Sequence, residues 1–390
     1  MSEWRERYDE SPGLASTFEW LESYYQYLVG AFVIVFMLYT RLREWGNFVV
    51  DGEVLFAGND PWYHYRNTVY AVEHWPATMP FDPWTYFPTG NTSGQFGTFF
   101  DQIMATVAMV VGLGSPSDQL IAMVVLVVPV ILGVLITVPT YIIGRRVGGR
   151  FGGIVALVIV ALSAGRFLGV GLVGSSDHHI AESLFQALSV LGVRVAVGVA
   201  HRDKPIFEQF SERSIAPIRS TVGWAILAGF AITTYLWVWP PGVLIIAVLG
   251  IYFLLQLSIE FARGQSPEHT AIAGAITMGT TAVTVTAGVN VLTITATEVS
   301  LLQPIMAGLV AFGCLFMAWL ARLWESRDTP RWQYPVTVFG IVVAGFVLLR
   351  LVTPDLFGYF LGQAQRVVGF TTTPTAGTVG EAAPIPFSQA

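Results

Sequence analysis

The sequence predicts an all-α polytopic membrane protein, and three observations carry that reading. Apolar residues make up 54% of the 390-residue chain and charged residues only 12%, about half the charged share of a soluble domain. The apolar residues gather in runs of about twenty, the length a helix needs to cross the hydrocarbon of a bilayer. Basic residues fall unevenly between alternate gaps, as they do in membrane proteins of fixed orientation. The single cysteine, Cys314, lies inside an apolar run, which excludes a disulfide framework and reads as packing. A net charge of −6 gives no expectation of a nucleic-acid partner. Lys204 is the sole lysine among twenty basic residues, a bias that fits a salt-adapted archaeon and equally fits codon usage alone.

Taken in order, residues 1–22 are polar and aromatic and carry no cleavable signal, so the first apolar run is read as a retained anchor. The runs that qualify as spans lie at 23–40, 119–143, 152–172, 180–200, 222–239, 241–258, 270–292, 301–321 and 333–352. The stretch 102–113 is apolar but short, and Gly112, Gly114 and Pro116 interrupt it. It is expected to be a helix at the outer interface. Trp237-Val238-Trp239-Pro240-Pro241-Gly242 reads as a tight hairpin with interfacial tryptophans. The expected organisation is a cytoplasmic N-terminus at 1–22, a bundle of about nine spans at 23–352 that includes a long external loop at 41–118, and an external tail at 353–390.

Charge sets the orientation. With the N-terminus inside, fourteen of the twenty basic residues, among them Arg145, Arg146, Arg150 and Arg331, fall on the inner side, and six fall outside. That places three acid-bearing segments outside. The first is Gly58-Asn59-Asp60-Pro61-Trp62-Tyr63-His64-Tyr65-Arg66, just beyond the first span. The second is Ser175-Ser176-Asp177-His178-His179, after the third. The third is Thr378-Val379-Gly380-Glu381, in the tail.

Each has a plain structural reading beside the functional one. Asp-Pro is a common helix start, with the carboxylate at the N-cap and proline in the first turn; capping leaves the second oxygen of Asp60 available. Trp62, Tyr63 and Tyr65 read as interfacial anchors. Asp177, His178 and His179 sit where an apolar span resumes at once, and ionisable groups so placed are candidates for function. Oxygen ligands suit Mg2+ and Mn2+, and an imidazole shifts the balance to Mn2+; the alternative is a histidine pair that only solvates the loop. Glu381 alone looks like a stray acid in a Thr-, Gly- and Pro-rich linker, and Glu298 is a rival in a shorter loop. Arg366 reads either as a contact for an anionic group near the outer surface or, more simply, as a side chain snorkelling at the interface.

Together these residues resemble a family. Gly58-Asn59-Asp60 with the following Pro-Trp-Tyr-His-Tyr-Arg, Asp177-His178-His179, and Thr378-Val379-Gly380-Glu381 look like the three acidic motifs of the oligosaccharyltransferase catalytic subunits, in their archaeal (AglB) form. The eukaryotic Stt3 and bacterial PglB subunits are related. The resemblance covers essentially the whole chain and implies a GT-C type transmembrane helix bundle with a long first external loop and an external C-terminal tail.

It further implies transfer of a dolichol-phosphate- or dolichol-diphosphate-linked oligosaccharide to asparagine of acceptor proteins carrying Asn-x-Ser/Thr, at the external face of the cell membrane. Asp60, Asp177 and His179 would hold Mn2+ or Mg2+, and His178 would face the lipid phosphate. Asp60 and Glu381 would accept hydrogen bonds from the acceptor carboxamide, whose conjugation resists rotation by roughly 18–20 kcal/mol. The family's Trp-Trp-Asp-Tyr-Gly motif and soluble external domain have no match here. The chain is therefore expected to be the N-terminal membrane half, as a piece of a longer protein or a truncated paralogue. The alternatives are another GT-C dolichol-phosphate-sugar transferase and a non-catalytic, transporter-like scaffold, although a transporter would gather its charges near the bilayer midplane.

Overall fold

The computed structural model describes residues 12–367, apart from 204, 206–207, 210–211, 213–217 and 290. Glu381 and the motif around it lie outside the described residues. The chain is a multi-pass helical membrane protein. Among the described residues, eight helical stretches are long and apolar enough to cross a membrane, and strands are confined to two short two-stranded ladders.

Helix α1 (Pro12–Leu42) leads into the first long loop, which holds α2 (Asp60–Glu73) and α3 (Phe99–Val111). The short apolar stretch expected to be helical is α3. Its apolar positions recur at helical spacing, so Phe100, Met104 and Ala108 form one buried stripe. Helix α4 (Asp118–Leu135) starts at Ser117, whose hydroxyl accepts the Leu120 N–H at 3.3 Å.

Helix α5 (Thr137–Leu162) is broken at Gly148 and Gly149, where Gly149 takes φ 64°, ψ −158°. The arms fold back on each other there. A Cβ on Gly144 would lie 2.6 Å from the Gly152 carbonyl oxygen, and one on Gly153 would lie 2.6 Å from the Tyr141 ring. Small residues let the two helices approach this closely. After Leu162 the chain runs through a single turn, Arg166–Gly169, and an irregular loop into α6 (His179–Arg202).

Helices α7 (Arg219–Val238), α8 (Leu244–Ala262), α9 (Glu268–Val285), α10 (Leu302–Ser326), α11 (Gln333–Val352) and α12 (Pro354–Val367) complete the chain. A 3-10 turn, Pro240–Val243, makes the expected tight connection from α7 to α8. Helices α7 and α9 are joined by polar glue as well as packing. The Thr233 and Thr284 hydroxyls lie 2.6 Å apart, and the Thr281 hydroxyl donates to the Gly229 carbonyl at 3.2 Å.

The molecule divides into two compact units. The first comprises the described residues of 12–254 and 268–316. Its core joins Met37 of α1, Met104 of α3, Val125 of α4 and Ile180 of α6. The second comprises, among the described residues, 255–267 and 317–367. Within it, Phe261 packs on Tyr334 with ring centroids 4.3 Å apart, and the Tyr334 hydroxyl donates to the Met317 carbonyl at 2.8 Å.

Candidate cation site between the first loop and helix α6

Two segments more than a hundred residues apart meet in the first unit. The Ala57 N–H donates to the Gly174 carbonyl at 2.9 Å. This bond sets the strand of chain entering α2 beside the loop entering α6. The loop is tied to α1 as well: the Val173 N–H donates to the Arg41 carbonyl at 3.0 Å, and the buried Arg41 guanidinium lies 5.6 Å over the Phe167 ring. Gly174 has φ 85°, and a Cβ there would run into the Phe48 ring. Glycine is therefore required at this bend.

Asp60 is the first residue of α2, with Asn59 at the N-cap and Pro61 in the first turn. The carboxylate thus sits one residue further in than the capping reading places it. A carboxylate is favoured in the first turn of a helix by the peptide dipoles. His64 follows four residues later, so Asp60 and His64 share one face of α2.

His64 is almost wholly buried, and its Nδ1 lies 2.7 Å from Oδ1 of Asp101 on α3, which is equally buried. Burial opposes the imidazolium, but the Asp101 carboxylate outweighs it, with Asp177 and Asp60 adding to the effect, and the His64 pKa is raised. Burial in turn raises the Asp101 pKa against the pull of His64.

Asp177 precedes α6. Its Oδ1 accepts the His179 N–H at 3.1 Å and lies 3.4 Å from Nδ1 of His178, while Oδ2 is 3.8 Å from the Arg166 guanidinium. His178 sits between the other two rings, its centroid 4.3 Å from that of His179 and 5.6 Å from that of His64. Burial, reinforced by the neighbouring cationic positions His179, His64 and Arg166, pushes the His178 pKa well below its ordinary value. Its imidazole is neutral at neutral pH and able to bind a metal. His179 places Nδ1 2.6 Å from Oε2 of Glu182, the carboxylate partner that commonly orients a metal-binding histidine.

One ligand atom each from His64, Asp177 and His178 fall within 4.8 Å of one another. Two imidazoles and a carboxylate are a donor set that fits a divalent cation. Of the sequence candidates, Asp177 and His178 belong to this cluster. Asp60 acts on it through the field at His64, His179 stands beside it, and Glu381 lies outside the described residues. The sequence reading missed His64 and Asp101. The spacing of His64 from Asp60 was the available signal, whereas nothing local marks Asp101.

The aromatic residues of α2 do more than line an interface. The Tyr63 hydroxyl donates to the Ser93 carbonyl at 3.0 Å, and Trp62 and Tyr65 pack around Phe56.

A multi-pass helix bundle carrying a histidine–carboxylate cation cluster at the junction of its first long loop defines a class of membrane protein. The family model described as "Oligosaccharyl transferase STT3, N-terminal" matches residues 28–368, and the chain belongs to that family. It is 44% identical over 374 residues to the dolichyl-monophosphooligosaccharide–protein glycotransferase AglB of Haloferax volcanii, covering 96% of this chain and 35% of the relative.

Two solved structures of the Archaeoglobus fulgidus oligosaccharyltransferase share the fold. The one in complex with an inhibitory peptide and a dolichol-phosphate matches with a TM-score of 0.77 at 22% identity, over 94% of this chain and 41% of that one. The one tethered to an acceptor peptide containing the NVT sequon matches with a TM-score of 0.73 at 22% identity, over 86% and 39%. The chain spans about a third of the length of the curated relatives it matches.

Proposed function

We propose that the chain is the membrane half of an oligosaccharyltransferase that moves an oligosaccharide from a dolichyl monophosphate to the asparagine of Asn-x-Ser/Thr sequences in acceptor proteins. The observation that carries this reading is the Ala57–Gly174 hydrogen bond, which sets the Asp60 and Asp177 segments side by side. The monophosphate carrier follows the name of the Haloferax relative, and the acceptor follows the sequon peptide on the Archaeoglobus enzyme.

In this reading Asp60, Asp177 and His179 hold Mn2+ or Mg2+, and Glu182 keeps the His179 ring turned toward it. A bound cation would stabilise negative charge on the departing lipid phosphate. The chain's own acids do the remaining work. Asp60 and Glu381 accept hydrogen bonds from the two N–H groups of the acceptor carboxamide, favouring a twisted amide whose nitrogen lone pair is released for attack.

Transfer of glycan from the lipid carrier to an Asn-x-Thr peptide is the direct test. Asp60→Asn and Asp177→Asn, made in the full-length protein, are expected to lower the rate at least a hundredfold with expression unchanged. Transfer at the wild-type rate by either variant would refute the reading. Transfer to a lipid acceptor and not to the peptide would favour another sugar transferase of the same membrane class.

The active face is external and the N-terminus cytoplasmic, on the strength of the arginine distribution. In a Cys314→Ser background, Thr89→Cys should react with a membrane-impermeant maleimide on intact cells, and Val147→Cys only after lysis. The reverse pattern would invert the orientation.

A further inference from the structure

We propose that the guanidinium of Arg41 holds a buried monovalent anion of chloride size, which fastens the loop between α5 and α6 to α1 and α4. The proposal goes beyond the glycan-transfer reading. Arg41 belongs neither to the acid–histidine cluster nor to the groups assigned to the acceptor.

Arg41 lies in the last turn of α1, and its side chain is among the largest that are fully buried, at 1% exposure. Arginine keeps its charge at any pH a folded protein meets. Nε, Nη1 and Nη2 are all buried without a hydrogen-bond partner among the described residues. The nearby acids are engaged elsewhere: Glu44 lies 3.3 Å from Arg43, Asp82 lies 2.6 Å from Arg66, and Asp177 lies 3.8 Å from Arg166. A charge taken out of water with neither counterion nor hydrogen bonds is among the costliest states in a fold. An arginine near the end of a membrane helix ordinarily carries its head out to water. Arg43 does so, with a side chain 62% exposed. Arg41 does not.

The surroundings make room for the buried head. The Phe167 ring lies 5.6 Å from the guanidinium carbon, an attraction weaker than that of a counterion. A Cβ on Gly133 of α4 would stand 2.7 Å from Nε, and one on Gly171 of the loop 3.1 Å from it. Both would also press on Cδ1 of Ile180, at 3.3 and 3.2 Å. Glycine is disfavoured inside a helix, so its use at Gly133 has a steric reason. The guanidinium fills the space that a side chain would take.

The charge count selects the ligand. One guanidinium balances one negative charge, whereas phosphate or sulfate brings a second and asks for more donors. The side chains of Phe167 and Ile180 offer none. The enclosure also excludes a headgroup tethered to a lipid chain. A halide is small, carries one charge and accepts from several N–H groups without a preferred orientation. The Val173 N–H already donates to the Arg41 carbonyl at 3.0 Å. The anion would hold from the side chain the same loop that this bond holds from the backbone.

The test is the thermal unfolding midpoint of the full-length protein in detergent as chloride replaces gluconate at constant ionic strength. The anion binds the folded state, so the midpoint should rise by about 3 °C or more between about 10 mM and about 1 M chloride. Bromide should act as chloride does. In Arg41→Met the chloride-dependent rise should vanish, and Gly133→Ala, which crowds Nε, should at least halve it. Wild-type crystals grown in bromide should show an anomalous peak within hydrogen-bonding reach of the guanidinium, which keeps the test decisive if Arg41→Met fails to fold.

A midpoint indifferent to the exchange of gluconate for chloride overturns the proposal. So does an undiminished rise in folded Arg41→Met, or the absence of a bromide peak at Arg41. Neither a divalent cation nor a glycan donor enters these measurements, so failure of the transfer reading and failure of this site are read separately.

Discussion

Asp82 is fully buried, yet it belongs to a loop rich in exposed aromatics. Its carboxylate accepts from the Arg66 guanidinium at 2.6 Å, the Thr85 hydroxyl at 2.6 Å and the Trp84 N–H at 3.0 Å. Burial works against the charge, but those hydrogen bonds outweigh it and hold the carboxyl below its usual range. A lowered native pKa makes its stabilisation fully present above about pH 4, where the unfolded carboxyl ionises, and lost as pH falls through the native value.

Asp82→Asn should cost about 1.5–3 kcal/mol and lower the thermal unfolding midpoint in detergent at pH 6. The wild type should lose that margin on acidification below pH 4, and the variant should lose less. Parallel curves would show that the pair contributes nothing. In the sequence Arg66 is one more basic residue in the first external loop. Its partner sixteen residues on could not be found by counting.

The same limit applies at the site. Asp60, Asp177, His178 and His179 stand out because acids and imidazoles are rare in so apolar a chain. His64 was legible only as one turn from Asp60 on a helix, and Asp101, thirty-seven residues further on, only through the fold.

At the level of elements, α5 shows how a chain reverses inside what looks like one long apolar helix. The sequence places a break between 143 and 152, where Arg145, Arg146, Gly148, Gly149 and Arg150 interrupt the apolar run, and the structure turns at Gly148–Gly149. Gly149 occupies a region of backbone space that is essentially reserved for glycine, with no atom near the position of a Cβ. Gly149→Ala should therefore destabilise by about 1–3 kcal/mol through backbone strain alone. Gly148→Ala, at a negative φ, should do much less. Equal unfolding midpoints for the two variants would contradict the assignment of strain to Gly149.

The run expected at 152–172 is helical only as far as Leu162. Its second half forms the single turn Arg166–Gly169 and the start of the loop that leads to Asp177. Hydropathy could not separate these, because a loop packed inside a protein is as apolar as a span. The short helix at Phe99–Val111 and the Pro240–Val243 turn were legible, since glycine, proline and helical spacing mark them directly.

Across the whole molecule, the composition fixed the class and the apolar runs fixed most helices, because lipid demands helices that satisfy their own backbone. What composition could not supply is the closure of long chain separations, such as the bond from Ala57 to Gly174. The tail with Glu381 lies outside the described residues, so its approach to Asp60 belongs to the proposal.

The account as a whole rests on Asp60 and Asp177 serving one cation from two distant parts of the chain. The most direct measurement is Mn2+ binding to the metal-stripped full chain, followed by the paramagnetic resonance signal of free Mn2+. Asp60→Asn and Asp177→Asn should each weaken binding at least tenfold, and the double variant little further, because both remove ligands from the same ion. Wild-type affinity in Asp60→Asn, or independent and multiplying losses from the two substitutions, would contradict it.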